Sequence, residues 1–216
     1  DKYFQIVKCF RDEDFRSDRQ PEFTQIDIEC SFVSQEDIIT LGTNLIRHIW
    51  KEVLNVNLPN EFKVISYKDA MNLYGSDKPD LRFDMLLEDF NNFIDESDFN
   101  VFKTTIEKGG IVKAIVCPNG GNYSRKVIDE LTVFVKEYHH AKGLAFMKCF
   151  DGKLEGGISK FFNKNLQRKI INNLKVLNDD IIFLIGDEEK ITLEALGALR
   201  LNLANREKLI KKDWKP

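Results

Sequence analysis

From Thr24 to Phe32 apolar and polar residues alternate, with Ile26, Ile28, Cys30 and Phe32 on one side and Gln25, Asp27, Glu29 and Ser31 on the other. A period of two belongs to an extended strand, and one polar face places that strand in an antiparallel sheet covered on a single side. Tyr3 to Phe10, rich in aromatic and β-branched residues, predicts a partner strand. Between them runs a densely charged segment, Arg11 to Glu22. The expected unit is therefore strand, charged loop, strand, with an apolar core face and a wet face that carries Asp27 and Glu29.

Further along, punctuation residues set the elements. Ser34 followed by Asp37 predicts a capped helix, and Ile38, Leu41, Leu45, Ile49 and Val53 carry it at helical spacing to about Leu54. A strand is expected near Phe62 to Ile65, then a helix from Lys68 to Leu73 that Ser66 caps and Gly75 stops. Gly75 to Asp80 reads as a loop. Beyond about Leu87 the pattern predicts strands at Phe99 to Phe102, Ile111 to Cys117, Leu144 to Phe150 and Ile181 to Ile185. Helices are expected from Arg125 to His140, ending at Gly143 after a Ser124 cap, across much of Ile158 to Leu177, and from Thr192 to Leu209. The class is α+β, divided into residues 1–87, a compact unit at 88–190, and a return helix at 191–216. The Gly pairs beginning at Gly109, Gly120 and Gly156 are expected in turns.

Composition narrows the function. Lys and Arg total 32 against 35 Asp and Glu, a net charge of −3, so any polynucleotide contact must be a local patch. Cys9, Cys30, Cys117 and Cys149 form no CxxC pair and His139-His140 has no cysteine beside it, so no metal ligands are assigned and the thiols are expected to be buried and reduced, as in a cytoplasmic protein. No apolar run approaches a membrane span, and Asp1 reads as a cut into a longer protein.

The chemistry concentrates between Phe10 and Asp27. An ordinary solvated hairpin would also be charged. Two features favour a binding site: the polar residues continue into the second strand as Gln25, Asp27 and Glu29, and Arg11 and Glu13 share strand parity. An arginine suited to bidentate oxyanion binding beside a hydrogen-bond-accepting carboxylate is an anion-binding arrangement.

The run FRDEDFRSDRQPEFTQID, from Phe10 to Asp27, closely resembles the second signature motif of class II aminoacyl-tRNA synthetases in its aspartyl form, and YGSDKPDLRF, from Tyr74 to Phe83, resembles the bacterial branch of that family. FRxE alone marks the class, whereas RQPEFTQIDIE narrows it to the aspartate group. The resemblance spans essentially the whole chain. It implies a partial class II antiparallel-sheet catalytic core over 1–87, the inserted α/β-type GAD domain over 88–190, and the return to the core over 191–216.

What the resemblance implies for single residues is specific. Arg11 would bind the α-phosphate of ATP and the aspartate carboxylate that attacks it, as the catalytic cation. Asp12 and Glu13 would lie along ATP, Glu13 near the adenine amino group, with Gln20 closing from the far side of the loop. Asp27 would pair with the ammonium of L-aspartate, and Arg16 and Arg19 would meet the acceptor end of tRNA(Asp). ATP would enter as its Mg2+ complex, and the full-length parent would be a cytoplasmic homodimeric aspartate-tRNA ligase. The family's anticodon-binding barrel and first motif would precede Asp1, and its third motif would follow Pro216. The alternative is a non-catalytic module built around the insertion, docking RNA or protein; the amidotransferase B subunit shares the insertion but leaves the charged motif unexplained.

Overall fold

The computed structural model describes residues 1–14 and 19–210, and the chain falls into two units, Asp1–Lys63 and one that begins at Val64. In the first, β1 (Lys2–Phe10) and β2 (Glu22–Cys30) form a two-stranded antiparallel sheet. It is followed by α1 (Gln35–Leu54), where the Ser34 hydroxyl accepts from the Asp37 backbone N–H and the Asp37 carboxylate accepts from the Ser34 N–H, the expected capping box. Asn55 closes the helix in the left-handed region, with φ 54°.

The apolar face of this hairpin is exposed rather than buried: Ile6 is 71%, Ile26 56% and Ile28 41% accessible, while Gln25 and Asp27 on the polar face are half-buried. A two-stranded ribbon has no second layer of its own, and among the described residues of Asp1–Lys63 the one buried hydrophobic is Leu58. The expected strand near Phe62 to Ile65 does not form. Its apolar residues find no strand to pair with.

The second unit opens with α2 (Tyr67–Tyr74), capped by Ser66 and stopped by Gly75 at φ 67°. Then come β3 (Leu87–Asp89), α3 (Asn91–Asp95), α4 (Asn100–Glu107), β4 (Ile111–Cys117) and α5 (Arg125–Val133), which continues as a π-helical turn over Phe134–Tyr138. The chain goes on through β5 (Ala145–Phe150), β6 (Lys153–Glu155), α6 (Lys164–Asn173), β7 (Ile181–Asp187) and α7 (Glu189–Arg206). The sheet order is β3-β4-β7-β5-β6 and every pairing is antiparallel, so the α+β class holds.

Period-two alternation divides the core. Ile115, Cys117, Ile181, Phe183 and Ile185 face α5 and α7, whereas Val112, Ala114, Met147, Ile182 and Leu184 face α3, α4 and α6. Every residue of β7 is buried, and Ile181 to Ile185 accordingly read as an unbroken apolar run. Phe99 to Phe102 belongs to the start of α4, not to a strand. Phe102 and Ile106 are one helical turn apart and fill the second face, the Phe102 ring stands 4.8 Å from that of Phe99, and a Cβ on Gly186 would sit 2.7 Å from it. Ile158 to Leu177 is helical only as a short turn at Ser159–Phe161 and as α6, because Phe162 is extended and Asn163 starts the helix anew as its cap. The helix after Ser124 stops before Gly143: His139 leaves helical geometry and His140 turns at φ 60°.

Arg200, on α7, is 1% exposed. It donates to four backbone carbonyls, Met85 at 2.7 Å, Phe83 at 2.9 Å, Asp80 at 3.0 Å and Asp84 at 3.2 Å, and stacks against the rings of Phe83 and Tyr74. This side chain fixes the backbone of the loop at the end of the Tyr74 to Phe83 motif. Of the cysteines, all free, Cys117 and Cys149 are buried as expected; Cys9 and Cys30 are only half-buried because their sheet has a single layer. No helix among the described residues is long and apolar enough to cross a membrane.

Candidate functional site

β1 and β2 pair with Gln5 opposite Asp27, Val7 opposite Gln25 and Cys9 opposite Phe23. Directly opposite residues share a face, so this register alone collects the polar side chains into one row. Gln5 Nε2 donates to Asp27 Oδ2 at 3.0 Å, which fixes the carboxylate in place. The Arg11 N–H donates to the Pro21 carbonyl at 2.8 Å and extends the pairing one step past β1.

Arg11 then lies back over its own sheet. Its guanidinium carbon stands 5.1 Å from the centre of the Phe23 ring, a cation–π contact, and the side chain keeps 59% of its surface exposed. Its Nη1 is 3.9 Å from Glu13 Oε1, too long for a hydrogen bond, whereas Arg19 Nη1 donates to Glu13 Oε2 at 2.8 Å. Glu13 is thus held between cations from both sides of the loop, 19% exposed against 59% for Arg11. Such a pair of guanidiniums around one carboxylate is an anion site with a built-in counter-charge.

Since Phe23, which carries the Arg11 guanidinium, lies four residues from Asp27, the two strand positions are about 13 Å apart, at ~3.3 Å per residue. That distance spans more than one small ion, and half-buried Gln25 lies between its ends. The structure therefore brings together Arg11, Glu13 and Arg19, and sets Asp27 apart on the same face. Asp12 and Gln20 are exposed, and Arg16 lies outside the described residues. Glu29, opposite Tyr3, is exposed.

Two residues of the arrangement were missed in the sequence. Gln5 orients Asp27, and Phe23 is the platform for Arg11. Both carry a retrievable signal, since pairing the strands symmetrically about the loop puts Gln5 opposite Asp27. On the opposite face Phe4, Ile6, Ile26 and Ile28 line, with Leu41 and Leu45 of α1, an apolar cleft of about 370 Å³. Among the described residues no cluster of three His, Cys, Asp or Glu could hold a metal ion.

A strand pair with a charged connection, an outward arginine at its head and a carboxylate on the same face defines a class as well as a geometry. The family described as tRNA synthetases class II (D, K and N) matches residues 1–190, and the chain belongs to it. Within that family its relatives are aspartate enzymes, as the motif resemblance implied. The aspartate–tRNA ligase of Clostridium novyi (strain NT) is 48% identical over 211 residues, covering 98% of this chain and 35% of the relative. The aspartate–tRNA(Asp/Asn) ligase of Persephonella marina is 50% identical over 211 residues, covering 97% and 35%. The chain spans 35% of the length of these relatives.

Proposed function

We propose that this chain forms one wall of the active site of an aspartate–tRNA ligase, which joins L-aspartate to ATP as aspartyl-adenylate and transfers the aspartyl group to tRNA(Asp). The observation that carries the reading is Arg11 laid over Phe23 on the same strand face as the Gln5-anchored Asp27. Opposite charges set on strand positions about 13 Å apart suit an amino acid joined to a phosphate, with the ammonium at Asp27 and the phosphate at Arg11.

Adenylate formation is an in-line attack of a carboxylate on phosphorus, so the protein's task is to hold two anions together and to neutralise charge on the equatorial oxygens. Arg11 does both, because its planar fork binds the α-phosphate and the attacking carboxylate at once. The ring of Phe23 fixes the plane of the fork. ATP arrives with Mg2+ as part of the substrate and lies along Asp12 and Glu13, with Gln20 closing over it. Arg19 reaches the acceptor end of tRNA by giving up its 2.8 Å bond to Glu13, which frees that carboxylate for the adenine amino group. Arg16 is assigned to the same RNA end. The intact enzyme is read as a cytoplasmic homodimer, with further strands of its catalytic sheet covering Phe4, Ile6, Ile26 and Ile28.

The test is aspartate-dependent exchange of pyrophosphate into ATP by the intact ligase. Arg11→Ala should lower the rate by about 10²–10³, the scale of losing one preorganised charge-stabilising group, and Arg11→Lys should restore little of it. Exchange at the wild-type rate would sink the assignment. A second reading has its own support: the unit that begins at Val64 has a two-sided core of its own. It suits an inserted GAD domain over 88–190 that docks RNA or protein without taking part in the chemistry.

A further inference from the structure

Between Glu155 and Asp179 the chain carries Lys160, Lys164, Arg168, Lys169 and Lys175 and no carboxylate, although the protein's net charge is −3. The fold gathers these cations. α6 buries Leu166 and Ile170 and turns Lys164 and Arg168 outward one helical turn apart, while Lys160 is exposed in the turn just before the helix. The Asn163 cap places the positive end of the helix dipole beside Lys160 and Lys164. Exposed Asn165 and Asn172 are interleaved with the cations as neutral donors and acceptors.

Carboxylates of the neighbouring α3–α4 connection border the patch without neutralising it. Glu96 takes Lys169 at 2.7 Å, and Asp98 is tied to Phe161 through its backbone N–H. Lys160, Lys164, Arg168 and Lys175 have no carboxylate within ion-pair distance among the described residues. Folding a row of like charges together without counter-ions costs stability, and a polyanion would repay that cost by releasing its own counter-ions.

We infer that this face of α6 binds the phosphate backbone of RNA, as a contact distinct from the loop that holds Arg19. Charge alone would also suit an anionic membrane. A membrane surface, however, calls for an apolar edge to insert, and the stretch has one exposed large apolar side chain, Leu177. Interleaved asparagines and membership of a tRNA-synthetase family favour RNA. The inference rests on family membership and on the patch, not on the adenylate chemistry.

The experiment is fluorescence anisotropy of a labelled tRNA(Asp) transcript against the full chain, without ATP or aspartate, over a salt series. The triple variant Lys160→Gln, Lys164→Gln, Arg168→Gln is compared with a control triple on other exposed lysines, Lys108→Gln, Lys126→Gln, Lys136→Gln, each checked for native circular dichroism. The α6 triple should weaken binding about tenfold or more near 0.1 M salt and reduce the slope of log K against log salt by about 2–3, the counter-ions of three phosphate contacts. The control should change neither. An unchanged slope in the α6 triple, an equal loss in the control, or a loss confined to binding of phosphatidylserine vesicles overturns the inference. Pyrophosphate exchange by the intact ligase carrying the α6 triple should stay at the wild-type rate, which separates failure here from failure of the active-site reading.

Discussion

Replacing Arg200 by methionine removes the guanidinium while keeping much of the side chain's length and apolar bulk. Four carbonyls, those of Asp80, Phe83, Asp84 and Met85, then lose their donor inside the fold, and Phe83 and Tyr74 lose the cation that stacks on them at 4.0 and 5.0 Å. Some of these carbonyls would turn to water. Leaving two unsatisfied at about 1–3 kcal/mol each, with about 1 kcal/mol for the lost ring contacts, gives a cost of roughly 3–7 kcal/mol. Against this stands the gain from no longer burying a cation, which is itself unfavourable. A net loss of about 3 kcal/mol is expected, or a fall in melting temperature of roughly 6–12 °C for a domain of this size. Arg200→Lys should recover little, since a point charge on a flexible stem cannot reach four carbonyls spread over six residues. The assay is urea and thermal unfolding followed by circular dichroism, with limited proteolysis to show that cleavage between Gly75 and Asp84 rises first. A methionine variant within about 0.5 kcal/mol of wild type, with this loop still protected, would refute the reasoning, because surface substitutions away from such features cost no more than that.

Two glycines with similar backbone angles should respond differently to alanine. At Gly75, φ 67°, an added Cβ would lie 2.1 Å from the Leu193 carbonyl oxygen and 2.7 Å from Gly197 Cα, so Gly75→Ala adds a clash to the cost of the left-handed turn, roughly 2–5 kcal/mol together. Gly152, φ 69°, has open space around the same atom, and Gly152→Ala should cost only about 1–2 kcal/mol. Equal melting temperatures for the two variants would contradict the close packing of α2 on α7. Burial pushes the Cys117 thiol up to about 12, against which the Tyr123 hydroxyl contact works in the opposite direction. At pH 8 a thiol reagent should therefore label Cys9 and Cys30 before Cys117 and Cys149, and all four only after unfolding. Because the folded-state value lies above the unfolded value near 9, the contribution of a protonated Cys117 is complete below about pH 9 and is lost as pH rises from there toward 12, which a pH series of urea midpoints should show.

The elements most legible in the sequence were those marked by local chemistry. Ser34 with Asp37, Ser66 and Gly75 did what their side chains or lack of one dictate, because capping hydrogen bonds and a positive φ are settled within a few residues. β4 and β7 were equally plain, since strands covered on both faces are largely apolar, broken in β4 only by Lys113 and ending in β7 at Asp187. Phe99 to Phe102 was misread because two aromatics three apart suit a strand as well as a helix, and the choice was made by a hole opposite Gly186 that no local pattern reveals. The short strands β3 and β6, three residues each, were not foreseen, for their identity comes from the neighbours they pair with.

The sequence by itself determined the chemical content of the candidate site: a charged loop between two alternating strands, with Arg11 and Glu13 in one phase and Asp27 in phase with Gln25 and Glu29. That content is local, because a period of two fixes which side chains share a face whatever lies above it. Only the tertiary structure decided the rest. Pairing register placed Gln5 opposite Asp27 and Phe23 beneath Arg11, and one buried arginine of α7 became the anchor of a loop more than a hundred residues away in sequence. The charged stretch around α6 was visible as a list of lysines, yet its meaning depended on which of them the fold left without a carboxylate. Hydrogen bonds and ion pairs between distant segments depend on position in space, and a linear pattern carries residue types without those positions.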